Sequence, residues 1–139
     1  MSRYDLHGKK LFELIYKYYF ADLGLRNYLC GFRVRTSIEK LMENAVYLHL
    51  LMQSYNVNVG ILRAGEIDFV ATKGPRTIYI QVTYLLATEE TVKREFGNLA
   101  AINDNYPKYV VSMDPVSGEL AEYPGIQHVH LRQFLKMDL

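Results

Sequence analysis

The stretch EIDFVATKGPRTIYIQVTY, residues 66–84, decides the fold. Two runs rich in β-branched and aromatic residues flank Gly74-Pro75, the pattern of two strands joined by a turn. With Gly74 and Pro75 at the centre of the turn, antiparallel pairing sets Asp68 opposite Gln81 and Glu66 opposite Thr83. Alternation then places Glu66, Asp68, Gln81 and Thr83 on one face, and Ile67, Phe69, Ile80 and Val82 on the drier one. Two neighbouring carboxylates repel, and a divalent cation relieves that repulsion through carboxylate and carbonyl oxygens. The alternative is an ordinary solvated strand face.

Outward from this hairpin, YNVNVGIL (Tyr55 to Leu62) alternates as a strand, and Arg63-Ala64-Gly65 turns it into residue 66. Ser37 to Met52 reads as a helix capped by Thr36 or Ser37. At about 100° per residue, Ile38, Leu41, Met42, Ala45, Leu48, His49 and Met52 form its core face. Glu39 and Glu43 border that face, and Lys40 and Asn44 lie opposite. A second helix is predicted from Thr88 or Glu89 to Asn103, with Thr88 as N-cap and Glu89 and Glu90 complementing the helix dipole. A short buried strand (Lys108 to Asp114), a turn (Pro115 to Gly118), a last strand IQHVH and a short helix LRQFLK follow. The order helix, three strands, helix, strand defines an α/β domain with a mixed sheet flanked by helices.

The first third is less regular. Tyr18 to Ala21 reads as extended, and Leu23 to Gly31 as a helical turn between an Asp22 N-cap and a Gly31 stop. The 139 residues suit one domain with a core of its own. A net charge of +1 excludes capture of nucleic acid by the whole surface and leaves that task to a local patch. A single cysteine, Cys30, excludes an internal disulfide and suits a reducing cytosol. Met1 to Asp5 lacks the apolar segment of a signal peptide, and no run approaches the length of a membrane span, so a cytoplasmic location is expected. Most of the 12 tyrosines are expected in the sheet and its borders.

The helix with ENAVYLHL, then GEIDFVA, then YIQVTYLL, in this order of elements, resembles the PD-(D/E)XK nuclease superfamily, whose core is restriction-endonuclease-like. More closely, these motifs together with RYD, GKK, KYYFADLGLRN, REFGNL, DNYPKYVVSMD and GIQHVHLRQFL resemble the C-terminal domain of unknown function found behind the AAA+ module in prokaryotic ATPases. The resemblance spans nearly the whole chain. It implies an ATPase module and a winged helix upstream in a parent chain, with residues 1–34 as an extension packing on a nuclease-like domain, 35–139. No phosphate-binding glycine-rich loop is present, so ATP hydrolysis is not expected of this chain itself.

Position by position, the resemblance makes Glu43 the helix acid and Asp68 the metal-binding aspartate. Gln81 stands at the second acid and Thr83 at the lysine. Glu43, Asp68 and Gln81 would hold Mg²⁺ or Mn²⁺. Loss of the lysine at Thr83 removes an electrostatic group worth about 10²–10³ in rate. Lys93 or Arg94 would take over that role only if the second helix crosses the same face.

Elsewhere, His128 and His130 form an H-x-H pair that suits a shared metal or two surface histidines. His49 is expected to be hydrogen-bonded in the core, and Cys30 a small packed side chain. Lys9, Lys10, Arg33, Arg35, Lys73 and Arg76 would make a phosphate-binding rim if they gather. Tyr16, Tyr18, Tyr19 and Phe20 suit base stacking or packing against an upstream domain. Two functions are therefore expected. One is a nuclease-like accessory domain of an AAA+ ATPase with degenerate catalysis that binds nucleic acid, or cleaves it with a divalent metal. The other is a protein-interaction or dimerisation module without a nucleic-acid role. Homo-oligomerisation is left open.

Overall fold

The structure, a computed structural model, describes residues 3–5, 11–12, 17–22, 24–25, 28, 34–63 and 65–139. Its elements are β1 (Arg3–Asp5), β2 (Leu11–Phe12), α1 (Val34–Met52), β3 (Asn56–Ile61), β4 (Glu66–Lys73) and β5 (Arg76–Val82), followed by α2 (Glu89–Ala100), β6 (Lys108–Ser112), β7 (Gly118–Glu119), β8 (Ile126–His130) and α3 (Leu131–Phe134). Among the described residues the strands form one eight-stranded sheet in the order β2-β1-β3-β4-β5-β6-β8-β7. It is mixed: β3, β4 and β5 run antiparallel, whereas β5, β6 and β8 run parallel. The expected α/β class is therefore observed. The N-terminal region does more than pack on this core, because β1 joins the sheet parallel to β3.

The β4–β5 ladder has the register set by the turn, from Lys73↔Arg76 to Phe69↔Ile80, with Gly74 at φ 57° where a side chain would be strained. The expected two-faced alternation fails beyond Phe69. On the other side of β4, Asn58 pairs with Val70 but Gly60 pairs with Ile67, so Asp68 and Phe69 together oppose Val59. This is a β-bulge, which adds one residue and re-aims the side chains around it. Its consequence is that Ile67 packs in one core and Phe69 in the other. The expectation that Ile67 and Phe69 share a dry face is thus corrected.

Both faces of the sheet are covered, as buried parallel strands require. Under α1, Met42, Val46 and Leu50 pack on Phe69, Ile80, Val82, Val111 and Phe134. Under α2, Phe96 and Leu99 pack on Ile67, Val70, Tyr79, Val110 and Ile126. Met42, Val46 and Leu50 follow a spacing of four, so the inner face of α1 is rotated from the predicted one. Met52 is 84% exposed, and Asn44, expected on the outer side, is only 2% exposed. The cause is a second cover: residues 17–20 lie across α1 and bury Asn44.

Helix α1 also begins at Val34, which puts Thr36 and Ser37 inside it rather than at its cap. Thr88 does cap α2, its hydroxyl accepting from the Thr91 N–H, and α2 ends at Ala100 rather than Asn103. Asp22 caps the predicted helical turn by accepting from the N–H groups of Gly24 (2.7 Å) and Leu25 (3.0 Å). Gly31 and Cys30 lie outside the described residues. Gly65 lets α2 approach the start of β4: a Cβ there would meet the Asn98 side-chain oxygen at 2.9 Å.

Leu50 is fully buried at the centre of the α1 core. Leu50→Ala is expected to destabilise the domain by about 2–5 kcal/mol. A lower urea midpoint with an unchanged slope would show it.

Candidate functional site

The bulge leaves the backbone N–H of Asp68 outside the β4–β5 ladder, and side chains complete the pairing instead. The Asp68 N–H donates to Gln81 Oε1 at 3.3 Å, and the Val82 N–H donates to Asp68 Oδ2 at 2.9 Å. Asp68 and Gln81 are thus brought together as the register predicted, and both are buried. Thr83, one strand step further, is also buried, and its N–H donates to the Val111 carbonyl at 3.0 Å. It supplies no charge at the position where the nuclease pattern has a lysine.

A lysine reaches the site from elsewhere. Lys17 Nζ lies 2.6 Å from Glu66 Oε1 and 3.4 Å from Asp68 Oδ1. Its segment is fixed on α1 by two bonds: the Phe20 N–H donates to Asn44 Oδ1 at 2.8 Å, and Asn44 Nδ2 donates to the Phe20 carbonyl at 2.6 Å. Between them Tyr19 stacks on Tyr47 (centroids 4.5 Å apart), packs on Phe69 (5.6 Å), and directs its hydroxyl at Glu43 Oε2, 3.4 Å away. No ladder holds this segment; a buried amide and an aromatic stack do. A cleft of about 470 Å³ opens beside it, lined by Lys17, Tyr18, Phe20, Lys40 and Glu43.

The electrostatics follow from burial. Burial pushes the Asp68 carboxyl up, and the Glu43 charge pushes it further; Lys17 and the Val82 N–H oppose them, and the balance stands at about 7. Burial also raises Glu43, against the pull of Lys17 and Tyr19. Burial pulls Lys17 down, but the charges of Asp68, Glu43 and Glu66 outweigh it, so the ammonium is held above the ordinary lysine range. Burial and the Glu43 charge raise the Tyr19 hydroxyl, which stays protonated.

Helix α2 brings an acid to the site rather than a cation. Glu95 is buried, and its charge acts on Asp68. Its Oε1 accepts from Arg94 Nε at 2.8 Å and Nη2 at 2.6 Å, whereas its Oε2 is buried without a hydrogen-bond partner. Arg94 is therefore committed to Glu95. Lys93 is exposed and lines a separate cleft with Thr88, Val92 and Tyr123. Sequence reasoning missed Glu95 and Lys17. The signal for Glu95 was its place on the apolar stripe of Val92, Phe96 and Leu99. Nothing local marks Lys17.

The metal that the resemblance implies does not fit these donors as they are placed. Asp68 Oδ2, Asp68 Oδ1, Gln81 Oε1 and Glu43 Oε2 each face a protein N–H, ammonium or hydroxyl. Among the described residues no three His, Cys, Asp or Glu side chains converge as ligands.

The two histidines of IQHVH are engaged separately. His128 is buried with Nε2 2.7 Å from Ser112 Oγ, which also donates to Asp114 Oδ2 at 2.9 Å. Burial holds this imidazole below the ordinary histidine range, aided by His130 and opposed by Asp114. His130 caps α3 by accepting from the Arg132 N–H at 3.0 Å. His49 is hydrogen-bonding as expected, with Nε2 3.2 Å from the Met137 carbonyl, but it is half-buried at the edge of the core rather than within it. Of the predicted basic rim, Lys73 and Arg76 are exposed at the hairpin tip, and Lys73 sits over the Tyr55 ring. Lys9, Lys10, Arg33 and the Arg35 side chain, like Tyr16, lie outside what is described.

The chain is 35% identical, over 134 residues and 96% of its length, to an uncharacterized protein of Haemophilus influenzae. It spans about a third of that relative's length. No family model matches the chain, and no solved structure does. No helix among the described residues is long and apolar enough to cross a membrane.

Asp68 gives stability a definite pH dependence. Its folded value of about 7 lies above the unfolded aspartate value of about 4. The folded state therefore binds the extra proton between these limits, and stability contributed by Asp68 falls as pH rises from about 4 to about 7. Urea midpoints measured across this range should decline more steeply for the wild type than for Asp68→Asn. Parallel profiles would show that Asp68 titrates as an ordinary aspartate.

Proposed function

We propose that this chain is a nuclease-like accessory domain with degenerate phosphodiester chemistry, which binds nucleic acid in the service of an upstream AAA+ ATPase. The observation that carries this reading is the Asp68–Gln81 pair of the hairpin, on which the Glu43 charge acts from α1, with Glu43 lining an open cleft. That is the constellation a PD-(D/E)XK-type fold would use, with Thr83 and Gln81 standing where charged groups are needed. Metal-assisted hydrolysis by Mg²⁺ or Mn²⁺ would first require Asp68 to exchange its present partners. The cleft suits a polynucleotide: Tyr18 is 84% exposed for stacking on a base, and exposed Lys40 lines the wall for phosphate. The longer Haemophilus relative supports a domain that works within a larger chain. Cytoplasmic action agrees with this role.

A different surface favours a protein partner. Tyr84, Leu85 and Met113 are exposed together past the ends of β5 and β6, where the Met113 N–H donates to the Tyr84 carbonyl at 2.9 Å, and Val116 follows at 74% exposure. Docking of the ATPase module or of a second copy there is compatible with the nucleic-acid reading.

Fluorescence anisotropy with single- and double-stranded DNA at low and moderate salt tests the proposal, alongside plasmid nicking in Mn²⁺ by the wild type and Asp68→Ala. Salt-sensitive binding with nicking near background is expected. Strong Asp68-dependent nicking would reject degeneracy. Absence of both binding and nicking would leave the protein-interaction module.

A further inference from the structure

The poor fit of a metal to these donors has a physical counterpart, since a cation is already present. The ammonium of Lys17 stands between Glu66 and Asp68, and both carboxylates lie on β4. It is not an incidental surface contact. Lys17 is half-buried, and its backbone neighbours are clamped by the two Asn44 bonds and the Tyr19 stack. From α2, Glu95 adds a second buried acid whose charge acts on Asp68; it is 3% exposed, and among the described residues one of its carboxylate oxygens has no hydrogen-bond partner. Arg94 reaches only its other oxygen.

We infer that Lys17 is the resident cation of this site, and that it and a divalent ion compete for the same oxygens of Glu66 and Asp68. An ammonium and a divalent ion cannot share these oxygens, because like charges at contact distance repel strongly in a poorly solvated pocket. The Asn44 clamp favours the lysine by making its binding intramolecular, so that little further entropy is lost when the pair forms. The inference deepens the proposed function in taking Asp68 as the centre of the site, and it gives a cause for degenerate metal chemistry beyond the missing charges at Gln81 and Thr83. It needs no nucleic acid.

Mn²⁺ alone, titrated into the full chain and followed by water-proton relaxation and calorimetry, tests it on the wild type, Lys17→Met and Lys17→Met with Asp68→Asn. Lys17→Met is expected to bind Mn²⁺ about tenfold or more tighter than the wild type, as removal of one contacting like charge allows. Adding Asp68→Asn should abolish that gain. A smaller gain, or equal affinity whether tight or undetectable, overturns the inference, as does a gain that survives Asp68→Asn. If Lys17→Met does not fold, ¹⁵N-labelled lysine side chains of the wild type decide. The Lys17 ammonium should exchange its protons more slowly than exposed Lys40 and Lys93, and Glu66→Gln combined with Asp68→Asn should remove that protection. A Lys17 ammonium that exchanges as fast as those two overturns the inference. No arm contains DNA, so failure of the nucleic-acid reading and failure of this one are told apart.

Discussion

A carboxylate sits in a strand whose two faces are both covered, and most of the local structure answers that constraint. Asp68 lies where removal from water is costly for a charge unless hydrogen bonds and a counter-ion compensate it. Past the end of the β4–β5 ladder at Phe69↔Ile80, two backbone N–H groups are met by side chains. Asp68 takes the one from Val82, and Gln81 takes the one from Asp68 itself. The remaining carboxylate oxygen faces Lys17, which is fixed by groups that belong to α1. The N-terminal segment, the first helix and the central hairpin are therefore coupled through one side chain.

The same bulge explains why the site lies at a seam. By sending Ile67 to the α2 side and Phe69 to the α1 side, it gives Asp68 access to both layers. Glu43 acts on it from α1 and Glu95 from α2. A regular strand would have exposed Asp68 to only one helix, and the charges of the two layers would not have added. The glycine at residue 65 belongs to this arrangement, since close approach of Asn98 sets how near α2 comes to the start of β4.

The hairpin register was legible because Gly74-Pro75 fixes the turn centre, and one fixed centre determines every pair out to Phe69↔Ile80. Helix α2 was legible from Thr88 and its acidic first turn. The inner face of α1 was not, because periodicity weighs apolar residues and cannot see a polar residue buried for a structural task. Asn44 is that residue: its amide replaces a strand for the passing chain. The bulge has one mark in the sequence, Gly60 inside the β3 strand pattern, but a lone glycine does not say which partner residue is doubled. Lys17 is the extreme case. In KYYF it reads as one charge among aromatics, and only the tertiary path of its segment brings it to Asp68.

Gln81 and Thr83 are buried polar residues on the ribbon beside Asp68, and neither carries a charge. The Gln81 carbonyl oxygen accepts the Asp68 N–H, so the amide side chain completes the backbone pairing without adding negative charge. Thr83 is buried and uncharged, and the amine of the site comes from another segment, as Lys17 paired with Glu66 and Asp68. Positive charge in the site is thus supplied from within the chain, by Lys17. Pairing its charges within the chain fixes the shape of the site and of the cleft beside it.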